Sequence, residues 1–201
     1  MSKEPGSRAA ESEARPFAGV TVVDAAEGVA GGHASRLFAD LGARVVKVEP
    51  PGGERLRALG PFSGEPDPEL GGLHLALNAG KRSVALDLDE KGDRDRFCAL
   101  LEGADVLLES AGPGVMEHRG LGPASLLERF PRLVYASHSP FGQDGPYAGR
   151  VTSEIVDYAM GGWMYFCGDP ERPPLVVHGH QGELHAGMQL AASAAAALWH
   201  A

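Results

Sequence analysis

The chain has 201 residues, enough for one ordinary domain with a sizeable core. Its 43% hydrophobic and 22% charged content is that of a globular protein. A net charge of −9 excludes a broadly basic surface for nucleic acid, but not a small anion held by a few local cations or backbone N–H groups. Residues 1–16, MSKEPGSRAAESEARP, are charged and lack an apolar run, which predicts a disordered tail and no signal peptide. VTVVDAA (20–26) is a β-branched run and predicts a first strand. GGHASRLFADLGA follows with Ala34, Leu37, Phe38 and Leu41 at helical spacing and Gly42 as a stop. RVVKVEPPGG (44–53) predicts a second strand closed by a Pro/Gly turn, and the Gly- and Pro-rich residues 51–80 an extended loop.

SVALDLD (83–89) predicts a third strand, EKGDRDRFCALLEGA (90–104) a helix, and DVLLES (105–110) a fourth strand that turns at AGPGV. A short helix is expected at 125–130, a fifth strand starting LVYASHSPFG (133–142), and helices at about 153–166 and 182–199. In the last of these, Leu184, Met188, Ala191, Ala195 and Leu198 would share a core face. Strands alternating with helices imply right-handed crossovers, so the expected fold class is α/β, a Rossmann-like, mainly parallel sheet flanked by helices. AASAAAALWHA is too short to span a bilayer. Cys98 and Cys167 sit in no CxxC or Cys/His metal spacing, which points to free thiols and a cytoplasmic location.

The turn after the first strand, EGVAGGHAS, is glycine-rich. Gly28, Gly31 and Gly32 do not make G-x-G-x-x-G, although Glu49 stands where a dinucleotide fold places its ribose acid. The glycines are read equally as allowing close helix–sheet packing, and an NAD-dependent oxidoreductase is disfavoured. His178, His180 and His185 straddle a loop and a helix start without H-E-x-x-H spacing, so no metal site is expected. Trp163, Tyr165 and Phe166 could wall a ligand or pack in the core. Lys81 and Arg82 could solvate a loop or meet a phosphate.

Five stretches in order carry a family resemblance: GVTVVDAAEGVAGGHASRLFADLGARVVKVEPPGGERLR, LNAGKRSVALDLDEKG, ADVLLESAGPGVMEHRGLG, PRLVYASHSPFGQDGPYAGR and GELHAGMQLAASAAAAL. From residue 17 onward the chain resembles the class III CoA-transferases (CaiB/BaiF), which include formyl-CoA and carnitine CoA-transferases and the α-methylacyl-CoA racemases. The resemblance implies a CoA-transferase that moves CoA from an acyl-CoA thioester to a small carboxylic acid through a carboxylate-bound covalent intermediate. It implies no tightly bound cofactor, with acyl-CoA as substrate, and neither nucleic acid nor membrane as partner. Family members are longer and form interlocked homodimers. Residues 17–201 therefore read as the N-terminal part of the family domain, in a homodimer or with a chain that supplies the rest. The alternative is a catalytically weak or silent half that binds or assembles with a partner.

The resemblance carries over residue by residue. The family nucleophile, an Asp four residues before a Gly-Met pair, falls on Glu183. The physics of a helix N-terminus favours an ionised carboxylate there, and a first-turn acid with no chemical role is equally common. CoA contacts fall on Val29, Ala30 and Gly31, on Leu86 and Asp89, on Ser110 and Ala111, and on His118. The basic residue after the second strand is Pro50 here, with Arg57 as its replacement. Glu154 falls in the acyl pocket or acts as a capping acid. Ser153 stands where the racemases carry His, which disfavours racemisation.

Overall fold

The computed structural model describes residues 15–67 and 69–201. Residues 1–14 of the expected tail lie outside the described residues. Directly after the expected tail, Phe17 packs its ring 4.8 Å from Phe38. The elements are β1 (Thr21–Ala25), α1 (Gly28–Asp40), β2 (Arg44–Glu49), a 3₁₀ turn (Arg55–Ala58), α2 (Gly72–Asn78) and β3 (Arg82–Ala85). They continue with α3 (Lys91–Leu101), β4 (Val106–Glu109), α4 (Val115–His118), α5 (Pro123–Arg129), β5 (Val134–Ser137), α6 (Glu154–Met160), α7 (Trp163–Phe166) and α8 (Gln181–His200).

The five strands order β3-β2-β1-β4-β5, all parallel, as the alternation of strand and helix required. Both faces are covered, which explains why β1 and β4 are buried almost throughout and carry Val22-Val23 and Val106-Leu107-Leu108 without polar alternation. Successive side chains point to opposite faces. Val22 joins Phe38, Leu108, Leu190 and Ala194 under α1 and α8, while Val23 joins Phe97, Leu107, Met116 and Leu126 under the other helices.

Several expectations need correction. Residues 51–80 are not one loop: Leu56 and Leu77 are buried with Val29, and that contact organises the 3₁₀ turn and α2. AGPGV does not simply turn but leads into α4. The 153–166 helix is two, broken where Gly162 adopts φ +80. The buried stripe of α8 is Gly187, Leu190, Ala191 and Ala194, whereas Met188 is 46% exposed. Gly187 occupies that stripe because α8 crosses α1 closely: a Cβ there would lie 2.4 Å from the Ala30 carbonyl oxygen.

A charged cluster is buried at the end of β1. Asp24 accepts from Ser35 Oγ at 2.5 Å and lies 3.3 Å from Lys81 Nζ and 3.6 Å from Lys47 Nζ. Lys47 Nζ also lies 3.2 Å from Glu54 Oε2 and donates to Ala26 O. Two cations and two anions balance, which is what permits their burial. Lys81 is therefore not a free phosphate ligand. Its Nζ also donates to Gly32 O, Ser35 Oγ and Asn78 Oδ1, and burial brings it down to about 8.

Candidate active site

Two of the clefts among the described residues hold expected site residues. The first, about 350 Å³, lies beyond the carboxyl ends of β1–β4, where strand order reverses between β1 and β4. Parallel α/β sheets bind ligands at such a switch point. It is lined by Leu86, Asp89, Ser110 and Ala111 of the expected set, together with Glu27, Asp87 and Arg119. His118 lies beside it, in a depression shared with Asp89, Arg94 and Arg119. Arg119 is paired with Asp89 at 2.7 Å, so an incoming anion would compete with that carboxylate.

The other expected contacts lie elsewhere. Val29 and Ala30 are buried in the first turn of α1, and Gly31 packs on Ala26, where a Cβ would meet the Ala26 Cβ at 2.4 Å. Val29 packs with Leu56 and Leu77, Ala30 meets Gly187 of α8, and none of Val29, Ala30 and Gly31 lines either cleft. Arg57 is consumed internally. Its Nε and Nη2 donate to Glu49 at 2.7 and 2.9 Å, and its Nη1 donates to Glu69 at 2.8 Å. That pairing, with Ser83 and the Glu54 N–H, holds the buried Glu49 carboxyl at about 2.

The second cleft, about 320 Å³, is formed by the starts of α6 and α8 and the end of β5. Glu183 lies in the first turn of α8, its side chain 38% exposed, and lines this cleft with Glu154, His138, Tyr158, Trp163 and His185. Glu183 Oε2 accepts from His180 Nδ1 at 2.7 Å. Glu154 Oε1 accepts the Gly182 N–H at 3.2 Å, so the start of α6 is tied to the first turn of α8. Trp163 stands edge-on to Tyr158 and 5.3 Å from His185, on the cleft wall. Tyr165 and Phe166 are 88% and 85% exposed, so neither is core.

Glu154, His180 and Glu183 bring one donor atom each within 4.8 Å of one another, an approach the histidine spacing did not suggest. The His180–Glu183 hydrogen bond accounts for it without an ion. Sequence reasoning also missed His138. Burial pushes its imidazole down, against the pull of Asp157, Glu183 and Glu109, so it faces the cleft neutral at neutral pH. The signal that could have found it is its place just past β5, at the ligand end of a parallel strand. Arg119 is one residue beyond His118, at the end of the same short helix.

A doubly wound α/β chain with a cleft at its switch point and a carboxylate at a helix start facing a second cleft defines a ligand-binding α/β protein. The family description CoA-transferase family III matches residues 17–201, and the chain belongs to that family. It is 40% identical over 166 residues to acetyl-CoA:oxalate CoA-transferase of Acetobacter aceti, covering 82% of this chain and 41% of that protein. It is 37% identical to succinyl-CoA:mesaconate CoA-transferase of Haloarcula hispanica, covering 89% and 46%. Among solved structures, a CAIB/BAIF family protein from Brucella suis superposes with a TM-score of 0.85 at 33% identity, covering 92% of this chain and 50% of that one. A hypothetical protein from Mycobacterium tuberculosis gives 0.82 at 37% identity, covering 93% and 51%. The chain thus spans about half the length of the relatives it matches.

Proposed function

We propose that this chain carries the nucleophile-bearing part of a CoA-transferase that moves CoA from an acyl-CoA thioester to a small carboxylic acid. Glu183 is the nucleophile. One carboxylate oxygen attacks the thioester carbonyl carbon, the carbonyl π pair moves to oxygen, and collapse expels CoA thiolate and leaves an acyl anhydride on Glu183. The thiolate then attacks the Glu183 carbonyl of the anhydride, releasing the acyl group as carboxylate and leaving CoA as a thioester on Glu183. The acceptor carboxylate attacks that thioester and expels CoA thiolate, giving a mixed anhydride. The thiolate next attacks the acceptor's carbonyl, producing the new acyl-CoA and freeing Glu183.

The observation that carries this reading is the Glu183 carboxylate, partly exposed at a helix N-terminus and facing the 320 Å³ cleft. Free N–H groups of the first turn of α8 are suited to steady the oxyanion. Glu154, Tyr158 and Trp163 would line the acyl pocket. The strand-end cleft, through Leu86, Asp89, Ser110, Ala111 and neighbouring His118, would take the nucleotide end of CoA, with Arg119 taking the part expected of Arg57.

A specific observation favours a second reading, a weak or silent half that assembles with a partner. The rim of the strand-end cleft carries Glu27, Asp87 and Asp89, and its one lining cation is already paired. Val151, Met160, Tyr165, Phe166 and Leu175 are exposed on one stretch of chain, a surface suited to a second copy or a complementary chain. The free thiols Cys98 and Cys167 fit a cytoplasmic location. No helix among the described residues is long and apolar enough to cross a membrane.

The test is trapping: incubation with acetyl-CoA or succinyl-CoA, then hydroxylamine or borohydride, and mass spectrometry. An adduct on Glu183 that E183Q lacks supports transfer. CoA binding without an adduct supports the silent half.

A further inference from the structure

Glutamate is one methylene longer than aspartate and carries an additional rotatable bond, so a glutamate nucleophile needs something to fix its carboxylate. Two features at the start of α8 bear on this. His180 has φ +58 and ψ +31, the one side-chain-bearing residue with positive φ among the described residues. A left-handed conformation costs free energy in a residue with a Cβ, and such costs gather where a side chain must be aimed. The imidazole also caps no backbone N–H. Instead its Nδ1 meets Glu183 Oε2 at 2.7 Å and lies 3.8 Å from Glu154 Oε2. Glu183 and Glu154 line the cleft, whereas His180 is not among its lining residues.

We propose that His180 is the positioning residue for Glu183: its Nδ1–H holds Oε2 and leaves Oε1 to face the thioester carbonyl. This rests on the reading of Glu183 as nucleophile. An ionised carboxylate only accepts hydrogen bonds, so the imidazole proton must sit on Nδ1 when His180 is neutral. Glu154 supports the arrangement from the other side, since Gly182 N–H donates to its Oε1 and fixes the backbone between His180 and Glu183. His180 exchanges no proton during attack. The carboxylate's charge leaves with the CoA thiolate, and the Nδ1–H bond releases the oxygen that no longer carries charge. A misplacement of about 1 Å costs about a hundredfold in rate, which is the scale of what the clamp supplies.

Two variants of the full chain separate aim from structure. In H180N the amide nitrogen falls where Nδ1 was, and asparagine tolerates the left-handed conformation. In H180G the conformation is relaxed and the donor is gone. Trapping of the Glu183 adduct with acetyl-CoA and hydroxylamine should fall about a hundredfold in H180G and stay within about tenfold of the parent in H180N. The melting temperature of H180G should be equal to or above that of the parent. Side-chain ¹⁵N NMR should find neutral His180 protonated on Nδ1, with a signal that moves in E183Q. A proton on Nε2, or an H180G chain that traps at the parent rate, overturns the proposal. If the parent forms no adduct, the nucleophile reading fails instead, and the imidazole signal still decides whether the clamp exists.

Discussion

Gly187→Ala probes how α8 is seated. The added Cβ would lie 2.4 Å from the Ala30 carbonyl oxygen and 3.0 Å from His33 Cβ. A carbon–oxygen contact relaxes at about 3.3 Å, so the helices must part by roughly 1 Å. The obstacle is backbone, which no rotamer change removes. Overpacking of this kind costs about 1–3 kcal/mol, here toward the upper end because a main chain must move. Alanine's better helix propensity returns about 1 kcal/mol. The net loss of about 2 kcal/mol lowers the melting temperature by about 4–8 °C for a chain of this size. Glu183 lies one turn earlier on the same helix, so the same displacement slows adduct trapping by about a hundredfold. Differential scanning calorimetry and the hydroxylamine trap read the two effects. Gly92→Ala is the control: in the first turn of α3 a Cβ would meet nothing within 4 Å, and stability should rise by up to about 1 kcal/mol. A Gly187→Ala chain that melts with the parent and traps at the parent rate would refute the claim that this crossing places Glu183.

Arg57→Ala strips the buried Glu49 carboxylate of its main partner and should cost about 3–5 kcal/mol in urea unfolding at pH 7. Because Glu49 is held at about 2, below its ordinary 4.5, its stabilisation is full above about 4.5 and lost as pH falls toward 2. Loss of Arg57 raises that carboxyl, so acid unfolding followed by circular dichroism should begin at higher pH. Lys81→Met leaves Asp24, Asn78 and Gly32 short of a donor and should also cost about 3–5 kcal/mol. Lys81 sits at about 8 against an ordinary 10.5, so between those values the unfolded chain binds more protons. The parent should then gain up to about 1.4 kcal/mol per pH unit from this group, a slope the variant lacks. Tyr158→Phe removes a buried hydroxyl with no hydrogen-bond partner and should leave the melting temperature unchanged or raise it, and a loss above about 1 kcal/mol would contradict that environment.

The strands were legible because burial on both sheet faces writes itself as the apolar runs of β1, β2 and β4. Helix α8 was legible from its alanines, and so was an acid in its first turn, while the spacing of Glu183 to Gly187-Met188 carried meaning only through the family resemblance. Helix α2 was not, because a seven-residue helix flanked by glycines and prolines carries too few periods, and its burial depends on Val29 and Leu56 from elsewhere in the chain. The fates of Lys81 and Arg57 were hidden for a related reason. Their partners Asp24 and Glu49 lie 57 and 8 residues away, and no local pattern says which exposed-looking cation will be taken inside. His138 was passed over because a lone histidine beyond a strand announces nothing until the helices that face it are placed.

The position of Glu183 follows from these distant pairings. Asp24 accepts from Ser35 and so fastens α1 to the end of β1, while Lys81 donates to Ser35 and to the Gly32 carbonyl and ties α1 to the segment between α2 and β3. Helix α1 then offers the Ala30 carbonyl against which Gly187 seats α8. Glu154 fixes the backbone at Gly182, and His180 fixes the carboxylate itself. Each fastening removes one freedom of the Glu183 oxygens: helix position, backbone, then side chain. A glutamate can therefore be aimed as closely as a shorter acid, provided that all three hold.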